Sequence, residues 1–248
     1  MKELLNKAKN GDVSAMFDLG LMYSQGRHVE KNDKEAFKWY KEAAELGHVA
    51  AMNNLGRRYE QGLGTHKDDA KAFNWFLKAA EKGQINAQCN VGNSYRSGRG
   101  TEKNYNKAFY WYQLAAEKRF PDALNNLGFM YENGFGAEKN AAEAFKWYKL
   151  AAENGQKLAM FNVGVCYYFE RGTTKNEGVA LYWWQKAAEL GHEGAQKNIG
   201  ILLKQGISSA TPKESAISEP PRPTNCPSCK ANVLTVEGRI CPYCRGGF

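Results

Sequence analysis

The chain has 248 residues, 43% of them hydrophobic and 12% aromatic, and a formal net charge of +8. Such a composition predicts that most of the chain folds, around one core or two. The positive charge is compatible with nucleic acid or an acidic partner and fixes neither, because it is spread out: residues 207–248 hold five Lys/Arg against three Asp/Glu, and no basic run occurs.

The N-terminal stretch MKELLNKAKNGD lacks the apolar core of about 7–15 residues that a secretory signal needs. No segment approaches the roughly 18 apolar residues of a membrane span. A cytoplasmic location is therefore expected, and scattered cysteines agree with a reducing compartment.

From residue 15 onward one string recurs. AMFDLGLMYSQG begins at Ala15, AMNNLGRRYEQG at Ala51, AQCNVGNSYRSG at Ala87, ALNNLGFMYENG at Ala123, AMFNVGVCYYFE at Ala159 and AQKNIGILLKQG at Ala195, a constant period of 36. After each of the first five comes a second string: AFKWYKEAAELG, AFNWFLKAAEKG, AFYWYQLAAEKR, AFKWYKLAAENG or ALYWWQKAAELG. Both have helical spacing. Ala15, Leu19 and Tyr23 share one face of the first helix, and Ala36, Tyr40 and Ala43 one face of the second. Gly20 and its equivalents sit inside the first helix, where glycine costs up to about 1 kcal/mol against alanine, so they imply close helix–helix approach.

The punctuation fits. Gly26, Gly62, Gly98 and Gly134 can end the first helix in the left-handed conformation. Asn32, Asp68, Asn104, Asn140 and Asn176 are expected N-caps of the second, with Glu35 and Glu143 placed to close capping boxes. Gly47, Gly83, Gly155 and Gly191 end it. One hairpin cannot bury both faces, but stacked hairpins can. Residues 1–11 read as the tail of a second helix, and residues 195–206 as a lone first helix.

The pattern A-x3-LG-x2-Y-x2-G, a loop, then A-x2-W-x3-AA-x2-G resembles the Sel1-like repeat, a relative of the tetratricopeptide repeat, over about residues 4–206. The resemblance implies an all-α, right-handed α-solenoid of helical hairpins, and a role as a scaffold holding proteins or peptides along a concave face. Three departures stand out. Arg119 and Glu170 replace helix-ending glycines and are expected to distort their junctions, and Leu203 replaces the tyrosine. Some bacterial proteins of that family are secreted and carry a cysteine pair in every repeat. Here only Cys89 and Cys166 fall in the repeats, at different positions, so a disulfide between them is not expected.

The stripe Trp39, Trp75, Trp111, Trp147 and Trp183 reads as core between repeats. For binding, the first helices offer more. Asn54, Asn90, Asn126, Asn162 and Asn198 form a row, with Asp18 in the first repeat; such amides can bond an extended peptide or satisfy the neighbouring repeat. The third positions are Phe17, Asn53, Cys89, Asn125 and Phe161, and the seventh are Leu21, Arg57, Asn93, Phe129 and Val165. Arg58 and Arg96 add charge able to clamp a carboxylate or phosphate. Tyr168 and Phe169 either extend this groove or pack under the altered loop. The expected peptide-binding set is Asn54, Arg57, Arg58, Asn90, Arg96, Asn126, Phe129, Phe161 and Asn162.

Residues 207–225, ISSATPKESAISEPPRPTN, hold four of the seven prolines and read as a flexible linker. Beyond it Cys226-x2-Cys229 and Cys241-x2-Cys244 bracket ANVLTVEGRI, which can form a short hairpin. Four thiolates at this spacing close a tetrahedral site, and residues 226–248 are too few to fold without it, so one structural Zn2+ and a zinc ribbon with a small β-hairpin are expected. Its Lys230, Arg239, Tyr243 and Arg245 offer a weak nucleic-acid contact.

No catalytic constellation emerges. His48 and His192 follow helix-ending glycines and read as surface turns, and no HExxH, P-loop or GxSxG occurs. The sequence thus predicts a non-enzymatic adaptor for a protein or peptide, with no membrane contact and no small-molecule substrate. A nucleic-acid-associated protein that reads through the zinc ribbon is the alternative.

Overall fold

The structure, a computed structural model, describes residues 1–212. Cys226, Cys229, Cys241 and Cys244, and with them the expected zinc ribbon, lie outside the described residues. All regular structure among those described is helical and forms two compact units, the first Met1–Asn104 and the second beginning at Tyr105. The division falls inside the third repeat.

The first unit contains α1 (Lys2–Lys9), α2 (Val13–Gln25), α3 (Asp33–Glu45), α4 (Val49–Gln61), α5 (Asp69–Glu81) and α6 (Ile85–Ser97). The second contains α7 (Tyr105–Glu117), α8 (Pro121–Asn133), α9 (Ala141–Glu153), α10 (Lys157–Phe169), α11 (Glu177–Glu189) and α12 (Glu193–Lys204). Within each unit every helix packs on the next, so each is a short solenoid of helical hairpins.

The interior glycines set the spacing inside the hairpins of each unit. A Cβ added at Gly20, Gly56 or Gly128 would stand 2.6 Å from the ring of Tyr40, Phe76 or Tyr148, one helix later. Gly164 meets the Trp184 indole in the same way. Each glycine is thus a socket for one buried aromatic ring, which is the close approach the sequence implied. A second ring contact joins consecutive repeats. Phe37 meets Tyr59 edge to face at 5.3 Å, and Phe73–Tyr95, Phe109–Tyr131 and Phe145–Tyr167 repeat that geometry at 5.2–5.3 Å. At the next register both members are leucine: Leu181 is buried and Leu203 is exposed.

The expected caps within each unit form, with one difference. Asn32, Asp68, Asn140 and Asn176 accept from backbone N–H groups of the first turn. The capping boxes do not close, because each cap's own N–H is engaged elsewhere: Asn32 donates to the Tyr23 carbonyl at 3.0 Å and Asn140 to the Tyr131 carbonyl at 2.9 Å. This bond pins the loop back onto the end of the preceding helix and recurs for Asp68, Asn104 and Asn176.

Arg119 and Glu170 do not distort their junctions. They adopt φ of 54° and 57°, the left-handed region their glycine counterparts use, and the helices before them keep the regular 13 residues. A non-glycine residue there costs about 1–2 kcal/mol. A row of loop glycines is fixed by crowding that the sequence does not show: Gly64, at φ 76°, lies so close to the Asp33 carbonyl that any side chain would collide with it. Gly100 and Gly172 do the same against Asp69 and Ala141.

The described residues past 206, the first of the expected linker, are held against the last hairpin. Ile207 packs on the core of the last hairpin, and the Ala210 N–H donates to the Gly178 carbonyl at 3.0 Å.

Gly56 and Gly200 share one register and should respond oppositely to alanine. Among the described residues Gly200 has nothing within 4 Å of an added Cβ. Gly56→Ala is expected to destabilise the chain by about 1–3 kcal/mol through overpacking. Gly200→Ala is expected to stabilise it by up to about 1 kcal/mol through helix propensity. Urea titration of both variants checks the pair; equal shifts would refute the socket account.

Candidate binding surface

The first helices of the hairpins, α2, α4, α6, α8 and α10, carry the positions that the core pattern leaves open. The structure separates the nine expected residues into distinct roles.

The asparagine row is partly spent between repeats. Asn90 donates its amide to the Asn53 side chain at 3.0 Å, and Asn162 to Asn125 at 3.0 Å. Asn53 and Asn125 are buried. Asn90 and Asn162 therefore cross-link neighbouring first helices, as buried polar groups demand. Asn54 and Asn126 are half-buried members of the same row.

The two neighbouring arginines diverge. Arg58 is buried, pairs with the Asp33 carboxylate and lies 5.6 Å over the Tyr40 ring. Arg57, one step around the helix, is exposed. Arg57, Asn54 and Arg58 line one cleft of the first unit, about 230 Å³ in volume, together with Leu21, Gln25 and Gln61. Asn90 and Arg96 also belong to the first unit but do not line this cleft.

In the second unit, Phe129 is half-buried and leans on Phe135 at 5.9 Å. Phe161 is not a bare groove wall, since it stacks on the His192 imidazole at 4.3 Å. Phe17 stacks on His48 at 4.4 Å in the same manner. Tyr168 packs on Trp184 and edge-on to Phe169, whereas Phe169 itself is exposed, with Arg171 over its ring.

His48 and His192 are helix N-caps rather than surface turns. Their Nδ1 atoms accept from the backbone N–H of Ala51 and Ala195, each at 3.2 Å. Asp12, Gln84 and Gln156 do this at the same register in other repeats. The signal was present in the sequence as a polar acceptor at every register but one, where Phe120 stands.

The tryptophan stripe is core: Trp39, Trp111, Trp147 and Trp183 are buried and Trp75 is half-buried. Cys89 and Cys166 are buried thiols, and burial pushes Cys166 up to about 12, which suits packing rather than nucleophilic chemistry. Among the described residues no group of three His, Cys, Asp or Glu is placed to hold a metal ion, and no helix is long and apolar enough to cross a membrane.

The family model described as Sel1 repeat matches residues 13–48, 49–84, 85–120, 121–156 and 157–192. The chain belongs to the Sel1 repeat family. Sel1 repeat proteins are generally protein-interaction scaffolds. This Sel1 repeat chain is similar to a Sel1 repeat protein from Oxalobacter formigenes, with 36% identity, a TM-score of 0.74, and coverage of 78% of this chain and 79% of that one. It is also similar to a protective antigen of uropathogenic Escherichia coli, with 35% identity, a TM-score of 0.76 and 84% of this chain covered. It spans 45% of that antigen's length. A Sel1 repeat protein from Klebsiella pneumoniae, 19% identical with a TM-score of 0.51, covering 81% of this chain and 98% of that one, shares the fold alone. No curated protein matches the chain.

The His48 cap carries a pH dependence. Its Nδ1 can accept only when unprotonated there, and burial lowers its pKa despite the opposing pull of Asp18. With the folded pKa below the unfolded one, this stabilisation is present above about pH 6.5 and is lost as pH falls through the folded value. Thermal melts between pH 8 and pH 5 should show a steeper loss for the natural chain than for His48→Gln, which keeps an acceptor as Gln84 does. Parallel profiles would refute the assignment.

Proposed function

We propose that the chain is a non-enzymatic scaffold that binds a protein or peptide along its first-helix face. A zinc-stabilised module at residues 226–248 provides a second contact. The reading is carried by one contrast. The socket and ring registers repeat from hairpin to hairpin, while the seventh position of the first helix runs Leu21, Arg57, Asn93, Phe129 and Val165. The positions that hold repeats together keep their chemistry, and an adjacent surface position changes it at every step. That is how one fold presents different partners with different surfaces. Asn54 and Arg57 are the residues best placed for contact, since Arg58 serves Asp33 and Phe161 serves His192. A cytoplasmic location belongs to the same proposal.

Cys226, Cys229, Cys241 and Cys244 hold one Zn2+ in this reading, on the strength of their spacing. Elemental analysis of the purified chain should find about one zinc per molecule. Cys226→Ser with Cys229→Ser should abolish it while leaving the helical circular dichroism of the repeats in place. Full zinc content in that double variant would refute the site.

The nucleic-acid alternative rests on Lys230, Arg239, Tyr243 and Arg245. Capture from host lysate separates the two. The scaffold reading expects a protein retained after nuclease treatment by both the natural chain and the double cysteine variant. Material lost on nuclease treatment, and absent with the variant, would instead make the module a nucleic-acid reader.

A further inference from the structure

The cleft of the first unit lies between α2 and α4, over the Tyr40 ring of α3. Its volume of about 230 Å³ is below the roughly 300–1,000 Å³ of small-molecule pockets, so it suits one side chain of a larger partner.

Its polar groups are unevenly satisfied. Arg58 is balanced by Asp33, and the Ser24 hydroxyl bonds the Leu21 carbonyl at 2.9 Å and the Tyr40 hydroxyl at 3.2 Å. Arg57 has no ion pair or hydrogen bond among the described residues, and neither do the amides of Gln25, Asn54 and Gln61. For Asn54 the reason is visible. Asn90 and Asn162 each donate to an asparagine 37 residues earlier, but the residue at that place for Asn54 is Phe17, which offers no acceptor. One cation and three amides thus converge on a small cleft with no counter-charge on its walls.

We propose that this cleft seats the carboxylate of an Asp or Glu side chain, on an extended segment of the protein partner, against Arg57. This rests on the scaffold reading above. The guanidinium presents a planar fork matched to a carboxylate, and the three amides can bond the carboxylate or the flanking peptide groups. The charge count favours a carboxylate over a phosphate. Only one positive charge is unbalanced, and the partly exposed Asp33 carboxylate next to Arg58 repels a dianion.

Panning a random peptide display library against the full chain, and against the full chain carrying Arg57→Gln, tests this. Arg57 is exposed, so the variant should keep the natural circular dichroism and melting temperature. Peptides selected by the natural chain are expected to share an acidic residue at one position. Replacing that residue by its amide, or Arg57 by Gln, should each weaken binding about tenfold, and the two changes together little further. Enriched peptides without a fixed acid would overturn the proposal and leave the scaffold reading standing. A library that enriches nothing would remove both. In parallel, a fluorescent single-stranded oligonucleotide whose binding drops with Arg57→Gln would assign the cleft to phosphate and overturn the proposal.

Discussion

A ring resting on a glycine is the contact on which the rest of this molecule depends. The Gly56–Phe76 pair and its equivalents let two helices of a hairpin approach far closer than any side chain would permit. The rings so seated are almost wholly buried, as Tyr40, Phe76, Tyr148 and Trp184 show. A glycine in a helix is unfavourable by about 1 kcal/mol, yet burying an aromatic ring returns more than that. The exchange works only if the ring falls in register with the socket. The fixed 36-residue period guarantees this, and the seven-residue loops are held to length by the bond from each cap to the preceding helix.

Electrostatics adds a second, weaker layer that follows the same period. Arg99 pairs with Glu60 at 2.9 Å, and Arg171 with Glu132 at 3.1 Å, so each bridge joins a loop to the first helix of the preceding repeat. Both pairs are half open to solvent and contribute little energy, about 0–1 kcal/mol each. Part of the basic composition is therefore matched locally by acid. The excess that marks a partner is better sought at single positions such as Arg57 than in the net charge of the whole chain.

The period, the sockets, the helix ends and most caps were legible because they recur five or six times, and recurrence filters out chance. What escaped the sequence was whatever depends on a neighbour far along the chain. Arg57 and Arg58 look alike as letters. Only the fold shows that one turns toward Asp33, 25 residues away, while the other turns to solvent. His48 reads as a turn residue until its stack on the Phe17 ring, 31 residues earlier in the chain, is seen beside its bond to the next helix. Gly64 was overlooked because the carbonyl that crowds it belongs to another hairpin.

The last helix among the described residues keeps the socket glycine but has Leu203 where the earlier first helices carry a tyrosine. α12 carries the socket glycine at position 200 with nothing seated in it among the described residues, and Ile201 and Leu203 stand about half exposed nearby. Many repeat arrays close with a polar surface that ends growth. Among the described residues α12 keeps the interior glycine with no ring seated on it, so its backbone is already shaped to receive another hairpin. Gene duplication could lengthen this array by one period at that end without first redesigning the helix it would join.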